Sequence, residues 1–386
     1  QSAEIACSRS LLPTYILPHK SATQQKHHYC IKSPAHKNSL HVNQDYIYTL
    51  IYTNNVANAL LIFRKICVMK RSLLLLLVIA AMAANGQSAK NIDGHPAWIM
   101  QGNIYEVNVR QYTPEGTLNA FAKSLDRLKE MGVQTVWFMP INPISKIDRK
   151  GSLGSYYAVS DYTALNPEFG SIDDFKAVVK TIHAKGMKVI IDWVPNHTGA
   201  DNRWLTQHPD FFVKDKNGNA AVAYDWDDTR QLDYKNPVME DSMINAMKFW
   251  LKGTDIDGFR CDVAWNVPAS FWKKCIPELK QIKNVFMLAE GDSAYLPQSG
   301  FDAVYPWHMF KMMGKVASGD RPAFALDSIK AENDRMYPRN TIQMYFTSNH
   351  DENSWNGTEF ERMGDGARAF AVLSATLPGM LLIYSG

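Results

Sequence analysis

The stretch KVIIDWV, residues 188–194, packs five apolar residues around a single aspartate. A strand with one wet face alternates apolar and polar residues, whereas a nearly continuous apolar run of this length fits a parallel strand covered on both faces. What precedes it agrees. Ser171 and Asp174 stand at capping-box spacing, Phe175, Val178, Val179 and Ile182 fall on one helical face, and Gly186 supplies the stop. A helix that ends two residues before a doubly covered strand is the repeating unit of an α/β protein.

The same unit recurs on either side. Upstream, IYEVNVR (104–110) and VQTVWFMP (133–140) read as strands, with Leu118, Phe121, Leu125 and Leu128 on the face of a helix between them. Downstream, a helix over 238–252 precedes GFRCDVA (258–264) and a helix over 269–281 precedes VFMLAEG (285–291). FDAVYPW (301–307), TIQMYFTSNHD (341–351) and GMLLIYSG (379–386) give strands six to eight. Eight strands alternating with helices predict a TIM (β/α)8 barrel. The fifth helix is the weak unit, since only about ten residues separate strands five and six. Residues 198–236 are too long for an ordinary connection and carry Trp204, Phe211, Phe212, Tyr224 and Trp226. They read as a small inserted lobe, because a disordered loop is poor in aromatics.

The chain has 386 residues, 46% hydrophobic and 20% charged, with a formal net charge of +3. The excess is local: residues 1–90 hold 10 Lys+Arg and 2 Asp+Glu, which leaves 31 against 36 beyond them. The body is therefore acidic, and nucleic acid is not an expected partner. MKRSLLLLLVIAAMAANGQ (69–87) has the cations, the apolar run from Leu73 to Ala84 and the small residues of a secretory signal. That run is shorter than the roughly 20 residues a bilayer span needs, so no stable membrane span is expected after its removal. The expected location is secreted or periplasmic. Residues 1–68 show no sustained periodicity and are expected to lie outside the working protein, leaving 95–386 as the catalytic domain. Cys7, Cys30 and Cys67 fall in that leader, and Cys261 and Cys275 alone form no disulfide framework or zinc spacing.

In such barrels the reactive groups sit at the carboxyl ends of the strands. Those ends here carry Asp192 with Asn196 and His197, Arg260 with Asp262, Glu290, and Asn349 with His350 and Asp351. Residues two apart on a strand share a side, so Arg260 and Asp262 emerge together, and a permanent cation favours the ionised aspartate. That suits a nucleophile, and it also suits a structural ion pair. Two carboxyl groups at close range can cleave a glycosidic bond, one attacking the anomeric carbon and the other protonating the leaving oxygen. Asp262 is assigned as nucleophile, and Glu290 as acid/base with a pKa raised by its neighbour's charge. Asp351 would hold sugar hydroxyls, and His197 and His350 would donate hydrogen bonds to the same sugar. Cys261 points to the opposite face and reads as a small packed hydrophobe.

With those residues in place, the body from about residue 100 onward resembles the alpha-amylase family of glycoside hydrolases. DWVPNH (192–197), GFRCDVA (258–264), MLAEGD (287–292) and FTSNHDE (346–352) stand in that family's order. The resemblance implies retaining cleavage of α-glucosidic bonds, mainly α-1,4, in starch or maltodextrins, and so an α-glucan or malto-oligosaccharide partner. It carries catalytic roles to Asp262, Glu290 and Asp351, and substrate contacts to Tyr157, His197, Arg260, His350, Asp192 and Trp265. Tyr157 lies in GSYYAVSDY (154–162), with Tyr156 as the rival for stacking on the sugar. Family members that bind calcium would use Asn196 and, from RQLDYKNP, Asp233; Asn196 could instead fix its loop by hydrogen bonds alone.

Trp265 and Asn266 replace a lysine and a histidine of many starch-cleaving members, which leaves the balance of hydrolysis and transfer open. Asn196-His197-Thr198 also spells a glycan acceptor, set aside because a glycan there would block the cleft. An eighth helix and a C-terminal β-domain, usual in the family, are missing after GMLLIYSG, so the chain is expected to be a fragment with an apolar strand face open to association. The alternatives are a glucanotransferase or cyclomaltodextrinase of the same family and, from another class, a non-catalytic glycan-binding protein.

Overall fold

A computed structural model of the chain describes residues 91–100 and 102–385. The extension 1–68 and the signal segment 69–87 lie outside the described residues. Eight parallel strands close into a barrel: β1 (Asn103–Val107), β2 (Thr135–Phe138), β3 (Lys188–Trp193), β4 (Gly258–Cys261), β5 (Phe286–Ala289), β6 (Ala303–Val304), β7 (Ile342–Tyr345) and β8 (Met380–Tyr384). The barrel closes where β8 pairs with β1, in register from Leu381 and Asn103 to Tyr384 and Glu106.

Strand alternation divides the core in two. Ile104, Trp137, Ile190, Leu288, Met344 and Leu382 pack together in the barrel interior. Their neighbours Tyr105, Val136, Val189, Phe259 and Met287 belong to a second cluster with helix residues such as Phe175, Trp250 and Phe271. The inward side continues toward the carboxyl ends with Glu106, Asp192, Arg260 and Glu290, so a polar tier sits on an apolar plug. Cys261 faces the outer cluster and is fully buried there.

The helix Ile172–Ala184 opens with the capping box of Ser171 and Asp174 that its sequence predicts. Other elements depart from the pattern. The first strand stops at Val107, and Val109–Tyr112 turns into one helical turn. The 118–128 face breaks at Lys123–Ser124 into Leu118–Ala122 and Leu125–Glu130. The fifth helix is a single turn, Tyr295–Gln298, and β6 is two residues long. Within 198–236, Thr229–Gln231 pairs antiparallel with His197–Gly199, and Trp204, Phe211 and Phe212 are buried. Among the described residues no helix is long and apolar enough to cross a membrane.

Candidate active site

Arg260 organises the carboxyl ends. It is fully buried, and its Nη1 lies 3.0 Å from Asp192 Oδ1 and 2.9 Å from Asp262 Oδ1, while Nη2 lies 3.2 Å from Glu290 Oε2. Trp137 packs 5.2 Å from the guanidinium, and Nε donates to the Tyr305 hydroxyl at 3.3 Å. One cation thus serves three carboxyl groups. Immediately after Asp262 the chain takes a left-handed conformation at Val263, φ 45°, a rare choice for a β-branched residue. That turn aims the Val263 N–H at Glu290 Oε2, 2.7 Å away.

A second chain of contacts runs from β1. Glu106, buried in the first strand, accepts from His350 Nδ1. His350 Nε2 lies 2.6 Å from the Tyr157 hydroxyl, which donates to Asp192 Oδ2 at 3.0 Å. The Tyr157 and His350 rings stack at 5.4 Å and 19°. Asn349 caps the helix His350–Trp355, its side chain accepting from the Glu352 N–H at 2.8 Å, so His350 and Asp351 open that helix instead of ending a strand. Asp351 Oδ1 stands 3.3 Å from His350 Nε2.

Asp262, Glu290 and Asp351 line one cavity of about 410 Å³, with Tyr157, His197 and Trp226 also in its wall. A larger cavity, about 600 Å³, lies among Ile99, Asn103, Arg339 and Leu381 at the opposite, amino-terminal ends of the strands. The carboxylate cluster, not size, marks the first as the candidate site.

Burial sets the protonation states. It pushes the Asp262 carboxyl well up, the charge of Glu290 adds to this, and Arg260 offsets only part of it. Asp192 is raised by burial to about 6 against the pull of Arg260 and His350. The sequence expectation of an Asp262 held ionised by its arginine is therefore corrected: Arg260 divides its charge among three carboxyl groups, and at Asp262 it offsets only part of the desolvation. Burial also lowers His350, yet Glu106 and Asp351 more than offset it and raise the imidazole to about 9. At neutral pH both its nitrogens carry protons, so Nε2 donates to Tyr157. His197 lacks such partners, and burial lowers it to about 4.

Other expectations change with the geometry. Asp192 and Arg260 have no exposed surface and stand behind the cavity wall, where they orient Tyr157 and Asp262. His350 is 5% exposed, with both nitrogens engaged by protein groups. Tyr156 is tied to Asn108 and Arg110, away from the cavity that Tyr157 lines. Trp265 is 46% exposed and stands outside the cavity wall, its ring 6.2 Å from that of Tyr224. Asn196 and Asp233 do not fit a calcium ion as arranged. Asn196 Oδ1 already accepts from Asn266 at 2.8 Å and Gln231 at 3.2 Å, and Asp233 Oδ1 accepts from the Lys235 N–H. Calcium asks for six to eight oxygens, and donor hydrogens face this one.

The sequence reading missed three groups. Glu106 had a signal, a charged residue inside the apolar strand IYEV. Lys150 and the buried Asp228 had none; they meet in the cavity wall at 3.7 Å from two different loops.

A family model described as the alpha amylase catalytic domain matches residues 83–386. Alpha-amylase MalA of Haloarcula japonica is 25% identical over 78% of this chain and 46% of its own length; for alpha-amylase 3 of Dictyoglomus thermophilum the values are 25%, 75% and 64%. The chain thus spans about half to two thirds of these relatives. An alpha-amylase crystal structure from Lactobacillus plantarum superposes with a TM-score of 0.70 at 32% identity, covering 75% of this chain and 72% of that one. The barrel, the order of its strand-end motifs and the match to the catalytic-domain model together place this chain in the alpha-amylase family.

Proposed function

We propose that the chain is a retaining glycoside hydrolase that cleaves α-1,4-glucosidic bonds in starch or maltodextrins. The observation that carries this reading is the single guanidinium of Arg260 holding Asp262 and Glu290 by its two terminal nitrogens, at 2.9 and 3.2 Å. That arrangement favours the short carboxyl separation, about 5 Å, of retaining enzymes over the wider gap that an inverting enzyme needs for water.

Asp262 attacks the anomeric carbon as the carboxylate, and the glycosidic C–O bond breaks as Glu290, acting as general acid, gives a proton to the leaving oxygen. Water then attacks the glycosyl ester, gives its proton to Glu290 and releases Asp262. Asp351 binds ring hydroxyls beside them, and Tyr157 offers its ring to the sugar in the cavity. Export to the periplasm or medium rests on residues 69–87 alone and is tested by sequencing the N-terminus of the natively produced protein.

Proton NMR of maltoheptaose digestion tests the reaction: the α-anomer should appear first. Glu290→Gln should lower kcat by roughly 10²–10⁴-fold, and Asp262→Asn should abolish the ester route. First release of the β-anomer, or full activity in Asp262→Asn, would overturn the reading.

A further inference from the structure

Glu106 is a fully buried carboxyl group in β1 to which the reaction above gives no part. Its Oε1 accepts from His350 Nδ1, and its Oε2 has no hydrogen-bond partner among the described residues. Where Arg260 divides its hydrogen bonds among several groups, the Glu106 side chain bonds to His350 alone.

Each ring nitrogen of His350 faces a carboxyl oxygen. Nδ1 faces Glu106, and Nε2 faces Asp351 Oδ1 at 3.3 Å as well as the Tyr157 hydroxyl at 2.6 Å. A bare nitrogen would set its lone pair against those oxygens, so both carry hydrogen. The Tyr157 hydroxyl has a single proton. With Nε2 donating to it, that proton goes to Asp192 Oδ2, 3.0 Å away, and no other group donates to this oxygen among the described residues. Asp192 Oδ1 in turn shares Arg260 Nη1 with Asp262. The hydrogen-bond chain therefore has a direction, set at Glu106 and ending beside the nucleophile. If Nε2 lost its proton to solvent, Tyr157 would turn its own toward the ring, and a buried oxygen of Asp192 would be left without a donor.

Resting on the hydrolase reading above, we propose that Glu106 is a positioning residue for the reaction: by keeping His350 doubly protonated it fixes the direction of the Tyr157 hydroxyl and, through it, the placement of Asp192 beside the Arg260–Asp262 pair. This lock depends on charge. Glu106 from β1, Tyr157 from the segment after β2, Asp192 and Arg260 from β3 and β4, and Asp351 from its own helix all face or surround His350, and Trp137 of β2 meets it edge-on at 6.0 Å. Burial and Arg260 disfavour the imidazolium, whereas Glu106 and Asp351 favour it and win, so the chain keeps its direction up to a pH of about 9.

Two measurements on the full chain test this. Nitrogen-15 NMR of the imidazole rings, with His350→Asn to assign the signals, should show His350 of the wild type doubly protonated at neutral pH and titrating near 9. Hydrolysis of α-maltosyl fluoride reads the positioning role apart from Glu290, because fluoride leaves with little help from an acid. Glu106→Gln removes the charge that favours the imidazolium, so at about pH 8 its kcat/KM should be roughly ten-fold below the wild type. The ratio of variant to wild type should climb toward one as the pH falls and His350 regains its proton. A ratio that stays constant across pH marks a merely structural residue and would overturn the proposal. A neutral His350 in the wild type at pH 7 would overturn it as well, and that titration decides the matter even where Glu106→Gln does not fold. A wild-type protein inactive on both maltoheptaose and maltosyl fluoride, with His350 still doubly protonated, would instead sink the hydrolase reading.

Discussion

At the scale of single residues, His350 ties pH to stability. Its folded pKa, about 9, lies above the ordinary 6.5, so the imidazolium stabilises the fold fully below pH 6.5 and loses that contribution as pH rises through 9. A shift of this size is worth on the order of 3 kcal/mol. Glu106→Gln keeps the shape of the buried partner but removes its charge, so the fall in urea midpoint between pH 6 and 9 should be shallower than in the wild type. Equal slopes would show that His350 is not held by Glu106. Asp262 acts in the opposite limb. Its carboxyl is pushed up by burial and by Glu290, and the ionised form is the one that attacks. The acid limb of kcat/KM should therefore lie above the ordinary aspartate value of about 3.9, and a pH–rate profile checks it. The identities of the three acids were legible because they stand at strand ends in an alternating chain. The raised pKa of Asp262 was not, since the cost of burying a carboxyl group beside a shared cation depends on how deeply the barrel closes over it.

At the scale of elements, close approach of backbones decides which glycines can change. A Cβ on Gly258 would lie 2.0 Å from the Phe286 carbonyl oxygen, inside the β4–β5 pairing that positions Arg260 and Glu290. Gly258→Ala should prevent soluble expression or abolish activity. Gly253, in the helix Pro237–Thr254, has nothing within 4 Å of the same position. Gly253→Ala should stabilise by about 0.5–1 kcal/mol through helix propensity, read as a higher melting temperature. Elements were legible where burial leaves a periodic mark, as in KVIIDWV and the Ser171 capping box. β6 shrank to two residues because only Ala303 and Val304 pair with both β5 and β7, although FDAVYPW reads as a longer strand. The break at Lys123–Ser124 leaves Leu118, Phe121, Leu125 and Leu128 all buried, so the apolar pattern survives while the hydrogen bonds of one helix do not.

At the scale of the whole catalytic body, the lobe and barrel meet at Asn196 through neutral amides. Asn266, from the segment after β4, donates to Asn196 Oδ1, and Gln231, from the lobe hairpin, donates to the same oxygen and to the Asn196 carbonyl at 3.0 Å. Tyr234 adds a hydrogen bond to the Pro195 carbonyl at 2.7 Å. A cation bound at Asn196 would have to displace the two amide donors that already occupy its side-chain oxygen. Chelation should therefore leave the melting temperature within a degree or so of its value in calcium. Asn266→Ala, which removes one arm of the bridge, should cost about 0.5–1.5 kcal/mol and lower the melting temperature in both buffers alike. Differential scanning fluorimetry with and without chelator decides the matter. A melting temperature that drops on chelation and returns with added calcium would mean that the seam is held by metal, and that the amides close over Asn196 only when it is gone.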